Sequence, residues 1–447
     1  MEISMAAIMS IVALAIVVII SCINEDLNVG FLSVGFAVIV GGIWSGMNGA
    51  KVMASFPVSL FMILVGVTFM FGMAQTNGTM EKLTAYSVRL CKGNTAIVPL
   101  IIFVLTTFIT TIGPGNIAGT ALMAPVAMAI AARVGMSAFL MTLLVVGAAN
   151  GAAFSPFAPT GIISGGIIAK MAAQLNITDV SSLTWKIHFN SELAQGFVNI
   201  GGFFVLGGWA WITKQRGLSI NIDELAPKPE PFDRNQWVTL AMVALLIVLV
   251  VLPGLPATKS LFSAEMKNLL ANVGSIAFIL SGVMMLVGAG DSKAAVKVMP
   301  WGVMMMVCGV SVLIDIMDQA GGLTALVKLI GAISNPVTVN LWLGLITGVI
   351  SAYSSSSGVV MPMFLPMVPG LMAEIGGGNP VAMISSINIG SHLVDTSPLS
   401  TLGALCIACA GEHEDKAVLF RRLLIWGLAM SVVGAIVCWV FFGILNL

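Results

Sequence analysis

The chain has 447 residues, 58% of them hydrophobic and 9% charged, with a formal net charge of zero. A water-facing globular domain carries roughly 25% charged residues, so this composition excludes one, and zero net charge speaks against a nucleic-acid partner. Long apolar stretches recur from end to end and read as an all-α polytopic membrane protein, in which 48 glycines suit close helix packing and helix breaks.

Residues 5–22 lack a basic n-region and an A-x-A cleavage site, so they read as a first membrane helix and not a signal peptide. Further stretches of crossing length lie near 29–46, 56–75, 191–212, 236–254, 269–288, 298–316 and 423–445. Short amphipathic segments are expected at 79–92 and 321–334. The regions 96–133 and 337–374 are each two apolar arms of roughly 15 residues around a Gly/Ser-rich break. Such arms are short for a hydrocarbon core of ~30 Å, and the pattern fits a re-entrant hairpin. The regions 137–173 and 380–411 are interrupted by Ser-Pro, in "FSPFAPTG" and "DTSPLSTLG", and read as crossings unwound in the middle. The six cysteines are scattered and form no disulfide framework; Cys406 and Cys409 read as small buried thiols.

The one sizeable polar, proline-rich stretch, 213–235, divides a first half, 1–212, from a second, 236–447. The halves match. "FPVSLFMILVGVTFMFGMAQTNGTMEKL" (56–83) aligns without gaps on "MPWGVMMMVCGVSVLIDIMDQAGGLTAL" (299–326), and Ser155-Pro156 falls on Ser397-Pro398 at an offset of 241 to 243 residues. A constant offset across several elements signals an internal repeat. If each hairpin returns to its own side, each half crosses five times, and an odd number inserts the second half upside down: two inverted repeats. Under that topology thirteen Lys and Arg, among them Lys82, Arg89, Lys92 and Arg133, lie on one side. Six lie on the other: Lys51, Lys170, Lys186, Lys259, Lys267 and Lys328. The positive-inside rule then puts both termini on the outer, periplasmic face of an inner (plasma) membrane.

Two hairpins entering from opposite faces bring their tips, "TTIGPGNIAGT" (110–120) and "SAYSSSSGVV" (351–360), together near the midplane. Irregular backbone at that depth belongs where it lines a cavity. Carbonyls and hydroxyls, including those of Ser355, Ser356 and Ser357, suit a hard cation such as Na⁺ at ~2.3–2.5 Å, while N–H groups at the starts of the second arms suit an anion. Neither tip nor either Ser-Pro break contains Lys or Arg, so bound cations could supply the charge an anion needs. Asp395, three residues after His392, is an acid at the second break where the first half has Ala153 and Asn150. Such an acid is costly in a membrane, and it reads as a cation ligand or a proton carrier.

These tips, breaks and two-fold layout resemble the ion transporter superfamily that contains divalent-anion:sodium symporters, and the first half looks like the MatC type of dicarboxylate (malonate) carrier. Family members carry a Ser-Asn-Thr signature at each tip, nine residues before a proline. Here Gly115-Asn116-Ile117, with Pro125, and Ser356-Ser357-Gly358, with Pro366, occupy those positions. The resemblance assigns substrate binding to these six residues, with the Ser155, Pro156, Ser397 and Pro398 breaks beside them. It gives one sodium-ligand set to Ser155, Pro156 and Thr160 and another to Ser397, Pro398 and Thr401, and sodium-ligand roles also to Thr111, Asn116, Ala352 and Ser357. It further implies a homodimer working by elevator movement, with scaffold helices in 1–75 and 236–316 and transport elements in 96–173 and 337–411.

The resulting expectation is sodium-coupled symport of a small dicarboxylate, with two or more Na⁺ as coupling ions. The alternative is a cation/proton antiporter using Asp395 and His392. An enzyme is not expected: the three histidines are far apart and no H-E-x-x-H or paired-acid motif is present.

Overall fold

The computed structural model describes residues 4–23, 27–89, 94–216, 228–252, 263, 265–266, 270, 272–411 and 414–447. Cys91, Lys92, Lys259, Lys267, residues 217–227 of the divider and residues 412–413 lie outside the described residues. Helices make up the fold. The first half runs α1 (Met5–Ile23), α2 (Val29–Trp44), α3 (Gly49–Ala54), α4 (Val58–Thr76), α5 (Thr79–Val88), α6 (Val98–Thr111), α7 (Gly115–Arg133), α8 (Ala138–Ala152), α9 (Pro159–Met171), α10 (Val180–Phe203) and, after a π turn, α11 (Trp209–Gln215). The second half runs α12 (Arg234–Val251), α13 (Val273–Leu286), α14 (Ser292–Val298), α15 (Trp301–Gln319), α16 (Gly322–Ile333), α17 (Val339–Ser351), an arm of mixed helix types α18 (Ser356–Glu374), α19 (Pro380–Leu393), α20 (Thr401–Cys409) and α21 (Lys416–Cys438), which ends in a π turn.

From the second helix of each half onward the order is the same: paired crossings, a short helix, a hairpin, a helix broken at Ser-Pro, a last long helix. The packing repeats as well. In the first pair α2 lies on α15, with Gly30 against Gly309; in the second α13 lies on α4, with Gly274 against Gly66. A Cβ at Gly309 would strike the Gly30 carbonyl, and one at Gly66 the Gly274 carbonyl. Small residues let the helix backbones touch, which is how helices gain dispersion contact where lipid offers no hydrophobic drive. α20 of the second half packs on α7 of the first, and α9 of the first on the middle of α18, so the broken helices interleave with the opposite hairpins.

Polar caps set where several helices begin, and hydropathy alone misplaces two of them. Asp179 caps α10, accepting from the Ser182 N–H, and Asp415 caps α21, accepting from the N–H groups of Ala417 and Val418. The stretches expected at 191–212 and 423–445 therefore start at 180 and 416. Six helices among the described residues are long and apolar enough to cross a membrane, and the chain is a multi-pass membrane protein. The hairpin arms are unequal: α6 and α17 have 14 and 13 residues, while α7 and α18 span 19 each and are among those six. Pro125 lies inside α7 and Pro366 inside a 3-10 turn of α18, and neither ends its arm. The four described cysteines outside α1, Cys308, Cys406, Cys409 and Cys438, are free thiols.

Candidate functional site

The two tips meet. Residues Gly113–Ala118 of the first and Ser354–Ser357 of the second line one cavity of about 450 Å³, together with Thr160, Ser400 and Thr401 from the breaks and Thr68 and Gln75 from α4. The first tip is shaped by glycine. Gly113 (φ +143°) leaves no room for a Cβ beside the Phe71 ring, and Gly115 (φ +80°) brings the start of α7 against Pro159.

Each serine of the second tip has its own partner. Ser354 Oγ lies 3.0 Å from Ser21 Oγ on α1. Ser355 Oγ caps the next turn, accepting from the Gly358 N–H at 3.0 Å. Ser356 Oγ donates to the Asp395 carboxylate, at 2.9 and 3.1 Å from its two oxygens. Ser357 Oγ lies 3.1 Å from His392 Nε2 and 3.4 Å from Thr160 Oγ1.

The first tip makes the matching bond with different chemistry. Asn116 Nδ2 donates to Asn150 Oδ1 at 3.0 Å, and Asn150 Nδ2 donates to the His392 carbonyl at 2.9 Å. Asn116 and Ser357 occupy matching positions of the two halves by the sequence offset, as do Asn150 and His392. One hydrogen-bonded path thus runs from tip to tip through both broken helices: Asn116, Asn150, His392, Ser357, Thr160. Both ring nitrogens of His392 have partners: Nδ1 lies 3.0 Å from the Asn388 carbonyl and 2.9 Å from Ser391 Oγ, and Nε2 faces Ser357 Oγ.

Asp395 is the only ionisable residue among those lining the cavity, and no Lys or Arg joins it. Its surroundings are short of a proton. Ser351 Oγ lies 2.7 Å from Ser356 Oγ and 2.6 Å from the Ser391 carbonyl. The row Asp395–Ser356–Ser351–Ser391 has three contacts and two hydroxyl protons. A proton on Asp395, or a cation against it, closes the row. Among the described residues no group of three or more His, Cys, Asp or Glu could hold a metal ion, so a carboxylate-rich divalent site is absent from that part of the chain. The lining offers one carboxylate with hydroxyls and amides.

Of the residues singled out in the sequence, Gly115, Asn116, Ile117, Thr160, Ala352, Ser355, Ser356, Ser357, Asp395 and Thr401 line the cavity. Thr111, Ser155, Pro156, Gly358, Ser397 and Pro398 are not among its lining residues. The Ser-Pro serines are spent locally: Ser155 Oγ accepts from the Phe157 N–H and donates to the Thr111 carbonyl at 2.7 Å, and Ser397 Oγ accepts from the Leu399 N–H. Their backbones are packed equally tightly, since a Cβ on Gly161 would strike the Ser155 carbonyl and one on Gly403 the Ser397 carbonyl. Asn150 was missed as a site residue, although its repeat match to His392 was the available signal. The polar residues of α10 were also missed, because the stretch was read as an apolar crossing from 191.

Comparison with known proteins follows the same lines. Residues 4–153 match a family model described as the dicarboxylate carrier protein MatC N-terminus. The matched span includes Asn116 and Asn150 and ends before the first Ser-Pro turn. It bears out the MatC-type resemblance without extending to the wider symporter superfamily. No curated protein matches the sequence. Among solved structures, the Alcanivorax borkumensis YdaH transporter superposes with a TM-score of 0.58 at 17% identity, over 88% of this chain and 89% of that one. Neisseria gonorrhoeae MtrF, described with a class of antimetabolite efflux pumps, gives 0.56 at 15% identity, over 88% and 84%. The chain shares the fold of these two transporters.

Proposed function

We propose that the protein is a secondary transporter that moves a small dicarboxylate together with Na⁺. The observation that carries this reading is the cavity itself: hydroxyls, amides and one carboxylate from both hairpin tips, with no fixed cation. A dianion entering beside Asp395 meets net repulsion unless cations enter with it, and Coulomb interactions at such depth are too large to leave uncompensated. Coupling then follows from charge. Na⁺ held by Asp395, Ser356, Ser357 and the free carbonyls of the tips orders those tips and neutralises the site. The N–H groups opening α7 and α18 then present a positive dipole end to the anion. The dicarboxylate class is carried over from the family match of the first half, and the cavity volume lies within the ~300–1,000 Å³ usual for small-ligand sites.

Movement is proposed as an elevator. The hairpins and broken helices form the mobile block, and α1–α4 with α12–α15 form the scaffold; the reciprocal α2–α15 and α4–α13 contacts support two inverted repeats. The antiporter alternative also rests on Asp395 as the sole ionisable lining residue. Uptake by proteoliposomes of labelled malonate, succinate, malate and citrate, with and without Na⁺, tests both. Sodium-dependent uptake of one or more of these anions is expected. Sodium movement driven by a pH gradient with no organic anion present would replace symport by antiport.

A further inference from the structure

A second polar centre lies behind the cavity, on α10. His188, Ser191, Glu192, Gln195 and Asn199 follow one another at helical spacing and form a stripe down one face of the helix. Apart from Glu192, which is partly buried, these residues are buried, with Ser191 fully so and Gln195 and Asn199 each 1% exposed. The stripe lies on α8. A Cβ on Gly151 would meet Glu192 Oε2 at 2.7 Å, and a Cβ on Gly147 would meet Asn199. Gly151 is the neighbour of Asn150 and belongs to the last turn of α8, where that helix stops in mid-course. Glu192 therefore sits at the depth of the break, one helix layer from the tip-to-tip path.

Packing does not account for these side chains. In the second half the corresponding last helix, α21, meets its own broken helix with Gly427 against Ser397 and Gly434 against Leu393. The polar stripe also leaves polar atoms unused: His188 Nδ1, Ser191 Oγ, Glu192 Oε1, Gln195 Nε2 and Asn199 Oδ1 are buried without a partner. An unpaired buried group costs about 1–3 kcal/mol, so five such atoms on one stripe mark it as a polar centre and not as plain helix packing. Charged groups facing Glu192 are scarce. α8 has none. α19 brings His392 alone. α9 brings Lys170 in its last turn, and α21 brings Lys416, Arg421 and Arg422 at its start. On α10 itself Lys186 is exposed and His188 lies one turn away. Among the described residues no cation pairs with this carboxylate, and it lies against the carbonyl end of α8, which disfavours negative charge.

We propose that Glu192 is a proton-binding site, distinct from the cavity, at which the carboxylate takes up one proton to become a neutral acid that can donate to an α8 carbonyl. The site needs no assumption about the substrate.

The test is infrared difference spectroscopy of the full-length protein in liposomes, with reversible acid and base steps in H₂O and D₂O. The wild type is expected to show the carbonyl band of a protonated, hydrogen-bonded carboxylic acid, shifting in D₂O. The component remaining in Asp395→Asn should be lost in Glu192→Gln, while gel filtration of both variants matches the wild type. If Glu192→Gln leaves that component in place, the proposal is overturned. It is equally overturned if folded wild type shows no protonated-carboxyl band beyond what Asp395→Asn removes, a result that needs no Glu192 variant to fold.

Discussion

At the scale of single residues, the repeat-related bonds Asn116–Asn150 and Ser357–His392 set the first expectation. Asn150 is 1% exposed, so removing its partner leaves a buried amide oxygen unpaired at a cost of about 1–3 kcal/mol. Expressed as rate, that is roughly 5- to 150-fold. Asn116→Ala and Ser357→Ala should each reduce uptake within that range while the protein still elutes as a folded species. Unchanged uptake in both would remove the tips from the site. Asp395→Asn probes the missing proton. An asparagine amide can supply the third proton of the Asp395–Ser356–Ser351–Ser391 row, so the variant should be closed without an ion. In thermal melts the wild type should gain stability on replacing choline with sodium, by about 2.7 kcal/mol at a hundredfold excess over the dissociation constant. Asp395→Asn should gain none and should be no less stable without sodium. A sodium-dependent rise of equal size in the variant would take Asp395 out of the cation site.

At the scale of elements, the reciprocal glycine contacts are the strongest physical sign that the two halves are one design. Gly309→Leu drives a side chain into the Gly30 backbone, and Gly66→Leu does the same at Gly274. Overpacking of this kind typically costs about 1–3 kcal/mol, and here the obstacle is backbone that cannot rotate away. Both variants should melt lower by comparable amounts, whereas Gly201→Leu, with open space around it, should melt like the wild type. Much of this was legible beforehand. Apolar arms around a Gly/Ser-rich stretch marked the hairpins, Ser-Pro marked the broken helices, and the offset of 241 to 243 residues paired these elements between the halves. The fate of individual hydroxyls was not legible. Ser155 and Ser397 looked like ligands, yet a serine just before a proline turn captures the N–H two residues on, and only the folded turn reveals that local bond. The polar stripe of α10 was hidden for another reason. Hydropathy averages Glu192 with the Leu193 and Phe197 that face outward, so a helix with one polar face reads as a plain crossing.

At the scale of the whole molecule, the open question is whether the tips travel relative to α1, α2, α4, α13 and α15. One contact speaks to it directly. Ser21, on a scaffold helix, lies 3.0 Å from Ser354, in the tip of the proposed mobile block. In an elevator this contact exists in one state and must break as the block crosses; in a rigid channel or a rocking pair it persists or shifts slightly. Two hydroxyls at that separation put their Cβ atoms near the range that a disulfide requires. With the six native cysteines replaced, Ser21→Cys combined with Ser354→Cys should cross-link under mild oxidant. Uptake should then fall in proportion to the cross-linked fraction and return on reduction. Each single cysteine variant should be indifferent to oxidant. The logic rests on differential stability: a covalent tie specific to one conformation removes the other from the ensemble, and transport that needs both must stop. Full uptake by a protein that is cross-linked to completion would mean that the second tip never leaves α1, and the elevator would have to be abandoned even if sodium and a dicarboxylate still move together.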